Sequence, residues 1–251
     1  MAKINRDPPP PRRDWALFLD IDGTLLDLAP MPDAVHVPPP LHENLNFLYH
    51  DLGAVALVSG RSLAGIDALF APLIFPAAGQ HGAETRCGDE RISVPALPAL
   101  RGIAVALNRF AASHPGILVE DKGNSVAIHF RNAPTLEDEV AAMAARLVSG
   151  ITDLEVLPAK MAFDIKPRAS SKGDAIRWFL ERKPFFGRVP VFVGDDRTDE
   201  AGFAAVNERG GYSIRVGEET RTGARFSLNS SAAVREWIAG LARYYRQTEG
   251  P

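Results

Sequence analysis

Trp15-Ala16-Leu17-Phe18-Leu19-Asp20-Ile21-Asp22-Gly23-Thr24 is the stretch that decides how this chain folds. Five apolar residues suited to a buried strand run straight into two carboxylates two positions apart, and Gly23 follows where the chain must turn. A buried strand that stops at a pair of acids belongs at the carboxyl end of a parallel sheet, the edge where open α/β folds bind ligands. Two close carboxylates repel, so keeping both ionised requires a cation such as Mg2+ or a shared proton. One carboxylate can attack phosphorus while a second exchanges protons with the leaving and attacking oxygens, roles that suit Asp20 and Asp22 respectively. An Asp-Gly turn that merely closes a strand explains the same residues without any chemistry, so the rest of the chain must decide.

Two further apolar runs end in the same way. Residues 54–58 lead into Ser59-Gly60-Arg61, and residues 189–193 into Gly194-Asp195-Asp196-Arg197-Thr198-Asp199-Glu200. In one parallel sheet all three ends share an edge, which chance placement of turns does not explain. Mg2+ takes one or two carboxylates plus water and phosphate oxygen, and Asp20, the Asp22 carbonyl and Asp195 provide such a set. Asp196 and Asp199 then hold waters behind them, with a helix N-cap at Asp199-Glu200 as the competing reading. Ser59 and the amides beyond it, beginning with Gly60, can hold phosphate oxygens at a helix N-terminus. Lys172 opens a helix, where a cation is misplaced against the helix dipole unless an anion lies beside it, and phosphate would be that anion.

The whole chain sets the bounds. Its 251 residues allow one large domain or two small ones, and 46% apolar with 24% charged residues is ordinary for a globular protein. A net charge of −3 gives no global field to attract nucleic acid or acidic lipid, there is no basic stripe interleaved with aromatics, and no apolar run approaches the roughly 20 residues that span a bilayer. The expected partner is therefore a small anionic molecule captured locally, with neither nucleic acid nor membrane; oligomeric state stays open, with a monomer preferred. The single cysteine, Cys87, rules out an intramolecular disulfide and points to a reducing, cytoplasmic setting. Residues 1–13 carry a proline tract and Arg12-Arg13 without an apolar stretch, and read as a flexible tail rather than a signal peptide.

Residues 14–84 and 168–251 alternate strand and helix, the pattern of a parallel sheet with right-handed crossovers and hence of a Rossmann-like core. Residues 85–167 differ. Paired strands at 117–121 and 125–131 and at 154–157 and 162–166, with helices near 97–113 and 135–149, make a compact α+β insertion, a cap. Thr135 with Asp138 three positions on reads as a capping-box variant opening the second of these helices. Glu120 and Lys122 flank the turn at 122–124, and a carboxylate plus an ammonium can accept and donate hydrogen bonds to sugar hydroxyls; an exposed ion pair of little consequence is the alternative.

Asp20-Ile-Asp-Gly-Thr, the strand ending in Ser59, Lys172-Gly173 and Gly194-Asp195-Asp196, in this order, resemble the haloacid dehalogenase-like phosphatase superfamily over nearly all of the chain after the tail. The insertion sits where that superfamily carries its larger (type C2) cap. Gly194 to Glu200, Gln80-His81-Gly82-Ala83-Glu84, Val119-Glu120-Asp-Lys122-Gly, Val126-Ala-Ile-His129-Phe-Arg131 and Asp164-Ile-Lys166-Pro167 together resemble the trehalose-6-phosphate phosphatases. The resemblance implies Asp20 as nucleophile, Asp22 as general acid and base, Ser59, Gly60 and Lys172 as phosphate holders, and Asp20, Asp22 and Asp195 around Mg2+. Arg61, His81, Glu120, Lys122 and Arg131 are the implied contacts of the sugar phosphate. Asp164 stands where those enzymes more often have Glu, one methylene longer, so it is expected to sit back from the sugar and stays outside the site. The expected activity is Mg2+-dependent hydrolysis of trehalose 6-phosphate through an aspartyl phosphate. Another sugar phosphate such as sucrose phosphate, a mutase reaction, or a non-catalytic sugar-phosphate-binding module are the alternatives.

Overall fold

β1 (Trp15–Leu19) is buried at every residue and lies between β10 (Val189–Gly194) and β2 (Val55–Val58), parallel to both. Its side chains alternate between two cores, as a period of two requires. Trp15, Leu17 and Leu19 join Leu41 and Leu45 of α1 (Pro39–Asp51), Ile66 of α2 (Leu63–Phe70) and Ile238 of α7 (Ser231–Thr248). Ala16 and Phe18 join Ile176 and Phe179 of α5 (Lys172–Leu180) and Phe203 of α6 (Glu200–Glu208) on the other face. The whole sheet has eight strands in the order β12-β11-β10-β1-β2-β3-β4-β5, with β3 (Ala77–Gly79), β4 (Glu84–Cys87), β5 (Glu90–Ser93), β11 (Tyr212–Val216) and β12 (Phe226–Leu228). Leu19 pairs with Leu57 on one side and Val193 on the other, so Asp20, Ser59 and Asp195 leave the sheet on one edge. The structure, a computed structural model, describes residues 5, 7–28, 35–218 and 221–248. Parts of the expected tail (1–4 and 6) lie outside the described residues.

A second sheet of four strands, β6-β7-β9-β8, carries α3 (Ala99–Ala112) and α4 (Glu137–Val148) on one face. Its strands are β6 (Leu118–Asp121), β7 (Val126–His129), β8 (Leu154–Ala159) and β9 (Ala162–Pro167), all antiparallel. Alternation sorts the two faces again: Val126, Ile128, Phe163 and Ile165 pack under the helices, whereas Glu120, His129 and Asp164 face the core domain. Glu120, Ala127 and Asp164 are cross-strand partners in one row, and Ala127 leaves room between the two acids.

The parallel core with an inserted antiparallel sheet is the expected architecture, with three corrections. The insertion begins later than residue 85, because β4 and β5 pair with β3 and extend the large sheet as an antiparallel edge. The tail is not free throughout: Asn5 bridges β12, donating to the Arg225 carbonyl at 3.0 Å and accepting from the Ser227 amide, and Arg13 pairs with Asp51 at 2.9 Å. Thr135 does not cap α4. A 3-10 turn over Pro134–Leu136 takes up that residue, and α4 starts two positions later with no side-chain cap.

Candidate active site

Asp20 and Asp22 follow β1 on a loop that Gly23 makes feasible. Gly23 has φ 85°, and a Cβ there would come within 2.1 Å of an Asp195 carboxylate oxygen, so only glycine lets the two strand ends meet this closely. The N-terminus of α7 braces the loop, with the Ser231 hydroxyl donating to the Gly23 carbonyl at 2.9 Å.

The floor of the site is a crowd of buried carboxylates around one ammonium. Lys172 Nζ donates to Asp20 Oδ1 at 2.7 Å and to Asp199 Oδ1 at 2.6 Å. The lysine at the start of α5 is thus neither solvated nor dependent on phosphate for its counter-charge: two carboxylates of the protein already stand beside it. The Thr24 hydroxyl lies 2.9 Å from Asp20 Oδ2 and 3.3 Å from Asp195 Oδ1. Asp199 does not cap α6 with its side chain, against the expected N-cap; its Oδ2 accepts from the amides of Asp195 and Asp196, in a capping box headed by Asp196, and its Oδ1 accepts from Lys172. Carboxylate oxygens of Asp20, Asp195 and Asp199 lie within 4.8 Å of one another. Burial, reinforced by Asp199 and Asp195 against the pull of Lys172, holds the Asp20 carboxyl well above its ordinary range. Burial and Asp199 push Asp195 up to about 6.

Such a donor set fits a divalent cation. Three clustered carboxylates face one lysine that two of them share, and oxygen donors are what Mg2+ prefers. The Asp22 carboxylate is bound two-pronged by Arg61, both contacts at 2.7 Å.

Ser59 ends β2 fully buried, and its Oγ accepts from the Arg61 amide at 3.2 Å. Gly60 follows with no room for a side chain, since a Cβ would come within 2.8 Å of the His81 ring. Gln80, His81 and Gly82 all take positive φ, an arch that directs His81 toward the cap, where Nε2 stands 3.2 Å from Asp164 Oδ2. Burial keeps His81 below its ordinary value despite Asp164.

The roof comes from the cap sheet. Lys122 Nζ donates to Asp164 Oδ1 at 3.1 Å and lies 3.9 Å from Glu120, while His129 Nε2 lies 3.1 Å from Glu120 Oε2. Burial alone would lower Lys122, but Asp164 and Glu120 together raise it. Burial alone would raise Asp164, but Lys122 and His81 hold it far below the carboxylate range.

Between floor and roof lies a cleft of about 310 Å3, the size of a site that encloses a small molecule. Asp20, Asp22, Ser59, Gly60, Arg61, His81, Glu120, Lys122, Arg131, Lys172 and Asp195, the residues singled out in the sequence, all line it. Asp164 lines it too and corrects the expectation that a shorter acid sits back: with Lys122 and His81 both bonded to it, it occupies the centre of the roof. His129 and Lys160 are further lining residues that the sequence did not mark out. The alternation Val126-Ala-Ile-His129-Phe-Arg131, which puts His129 on the face of Arg131, was the available signal for the first. Lys160, at the turn joining β8 and β9, carried none.

A sequence profile described as trehalose-phosphatase matches residues 18–233. The chain is 47% identical to a probable trehalose-phosphate phosphatase of Sinorhizobium fredii, covering 91% of this chain and 88% of that one. It is 41% identical to the trehalose-6-phosphate phosphatase of Escherichia coli, covering 93% and 88%. Among solved structures, the C-terminal domain of C. albicans trehalose-6-phosphate phosphatase superposes with a TM-score of 0.84 over 92% of this chain and 93% of that one, at 21% identity, a likeness of fold.

Proposed function

The chain belongs to the trehalose-phosphatase family, and from that membership we propose that it hydrolyses trehalose 6-phosphate to trehalose and phosphate with Mg2+ in the floor of the cleft. The observation that carries the reading is the facing of two unlike surfaces. A buried Asp20 beside Lys172 and Thr24 looks across the cleft at the Glu120, Lys122 and Asp164 face of the cap. The first surface suits a phosphoryl group and the second a polyol.

In this reading the phosphate enters between Ser59, Lys172 and Arg61, and the sugar lies under the cap sheet. Asp20 attacks phosphorus in line, so a carboxyl O–P bond forms as the P–O bond to the sugar breaks. Asp22 protonates the departing sugar oxygen, then takes a proton from water as that water attacks the phosphoenzyme and frees Asp20. Both Asp22 oxygens accept from Arg61 in the substrate-free protein, so Arg61 turns to the entering phosphate as Asp22 takes up the proton it will donate. Lys172 at Oδ1 and the Thr24 hydroxyl at Oδ2 fix the orientation of the Asp20 carboxylate for that attack. When bound to Asp20, the Asp22 carbonyl and Asp195, Mg2+ supplies charge neutralisation for the crowded carboxylates and the phosphoryl oxygens. The cap excludes bulk water while Glu120, Lys122, Asp164 and Arg131 meet the sugar hydroxyls.

The test is phosphate release from trehalose 6-phosphate compared with sucrose 6-phosphate and glucose 6-phosphate, with and without EDTA. Metal-dependent release that favours trehalose 6-phosphate is expected. Equal rates on all three would leave the chemistry and remove the substrate.

A further inference from the structure

The cap touches the core through two sets of polar contacts of opposite character. One is buried. Gln80 Oε1 accepts from the Asn124 amide at 3.0 Å and lies 3.2 Å from the Ser125 hydroxyl, and His81 meets Asp164 close by; Gln80, His81, Ser125 and Asp164 are all buried. The other is in the open. At the turn between β8 and β9, the Lys160 amide donates to Asp196 Oδ2 at 3.1 Å and the Lys160 ammonium stands 3.4 Å from Asp195 Oδ2, with 57% of its side chain exposed.

The turn is built to present this residue. Ala159 pairs with Ala162, so Lys160 and Met161 are the two tip residues, and Met161 takes φ 60°. The Met161 carbonyl accepts from the Phe130 amide at 3.0 Å, which ties the tip to the rest of the cap sheet. Movement of the tip is therefore movement of the sheet that carries Glu120 and Asp164.

We propose that Lys160 is a positioning residue that latches the cap onto the metal-binding edge of the core, its ammonium and a divalent cation being alternative neighbours of Asp195. The proposal rests on the assignment of Asp195 to the metal. Asp195 is enclosed by carboxylates whose lysine is already shared between Asp20 and Asp199, so it draws positive charge from wherever it is available. Without a metal that charge is Lys160, and the cap is held down at its free end. With a metal beside Asp195 the two cations repel, the ammonium swings into solvent, and the cap turns about the buried Gln80 and His81 contacts. Metal loading and access to the cleft become one event: a metal-free site is covered, and a loaded site opens to substrate.

The experiment compares the full chain with Lys160→Met, which keeps the apolar stem, and Lys160→Arg, which keeps the charge. Mn2+ binding to the substrate-free proteins is titrated by electron paramagnetic resonance. Cap position is followed by energy transfer between dyes on Glu139→Cys in α4 and Glu236→Cys in α7, in a Cys87→Ser background, as Mg2+ is added. Lys160→Met should bind Mn2+ about two- to five-fold more tightly than wild type, the factor carried by an exposed ion pair, and Lys160→Arg should resemble wild type. Mg2+ should lengthen the dye distance in wild type, while Lys160→Met, left with only its amide on Asp196, should start longer than wild type and lengthen less. Equal Mn2+ affinity in wild type and Lys160→Met, an arginine variant that behaves like methionine, no Mn2+ binding at all, or a wild-type distance that Mg2+ leaves unchanged overturns the proposal. None of these readings depends on turnover, so an enzyme inactive on trehalose 6-phosphate would still report on the latch.

Discussion

Asp20 and Asp164 face the same cleft from opposite sides, each 4% exposed and each bonded to a lysine, yet they are displaced in opposite directions, the first upward and the second downward. The difference lies in how the positive charge is shared. Lys172 serves Asp20 and Asp199 together while Asp195 crowds the same space. Asp164 has Lys122 at 3.1 Å and His81 at 3.2 Å, and its neighbour Glu120 has His129 as well. The floor crowds three buried carboxylates around Lys172 and suits a cation and a phosphoryl group; the roof sets two around Lys122, with the His81 and His129 rings to bond them, and suits uncharged hydroxyls. Burial by itself fixes neither outcome.

Four changes probe this contrast. Asp20→Asn removes the nucleophile from the floor and leaves the roof intact, so phosphate release should fall by about 10^4-fold or more while the thermal transition stays cooperative. Residual turnover near wild type would show that the floor does not act as assigned. EDTA leaves every side chain in place and takes only the cation, and release should drop by at least about 10^2-fold and return with Mg2+. Lys122→Ala alters the roof alone. It should raise KM for trehalose 6-phosphate by about 10- to 100-fold, the range of a hydrogen bond from a charged group, with a smaller change in kcat; a loss confined to kcat would put Lys122 among the groups that act on phosphorus. The smallest effect is thermal. A carboxyl held above its unfolded value contributes stability below about pH 4, and loses it as the pH rises through its folded value, about 6 for Asp195. Asp164 and Glu120, held below their unfolded values, contribute above about pH 4 and lose that contribution as the pH falls through their folded values. Mg2+ should therefore raise Tm by about 3 °C more at about pH 7.5 than at about pH 5, because only at the higher pH do the floor carboxylates need it. An equal shift at both pH values would erase the distinction between floor and roof.

What could be read in advance follows the same division. β1, β2 and β10 are continuous apolar runs because both faces of a parallel sheet are covered, and their ends announce Asp20, Ser59 and Asp195. β4 escaped notice because its Glu84-Thr85-Arg86-Cys87 is polar in sequence and satisfied only in space, Arg86 by Asp67 and the Phe75 carbonyl, Glu84 by the Leu63 amide. Asp164 was underrated because a side-chain length says nothing about its partners. The partnership of Lys122 and His81 exists only after 83 residues of separation between His81 and Asp164 are folded away. Lys160 is a turn residue like many others until the cap is laid on the core.

The strand that bears the nucleophile has a bearing on how the chain is made. β1 pairs with β10, about 170 positions later, and Asp20 finds Lys172 across 152. At about 5–20 residues per second of synthesis, the amino-terminal half of the floor waits on the order of ten seconds or more for its other half. During that wait the cap, whose strand pairs are mostly local, is the part that can close first. A nascent chain is thus expected to hold a finished lid before it has a complete site beneath it, and the apolar β1 is the segment most in need of shelter in the meantime.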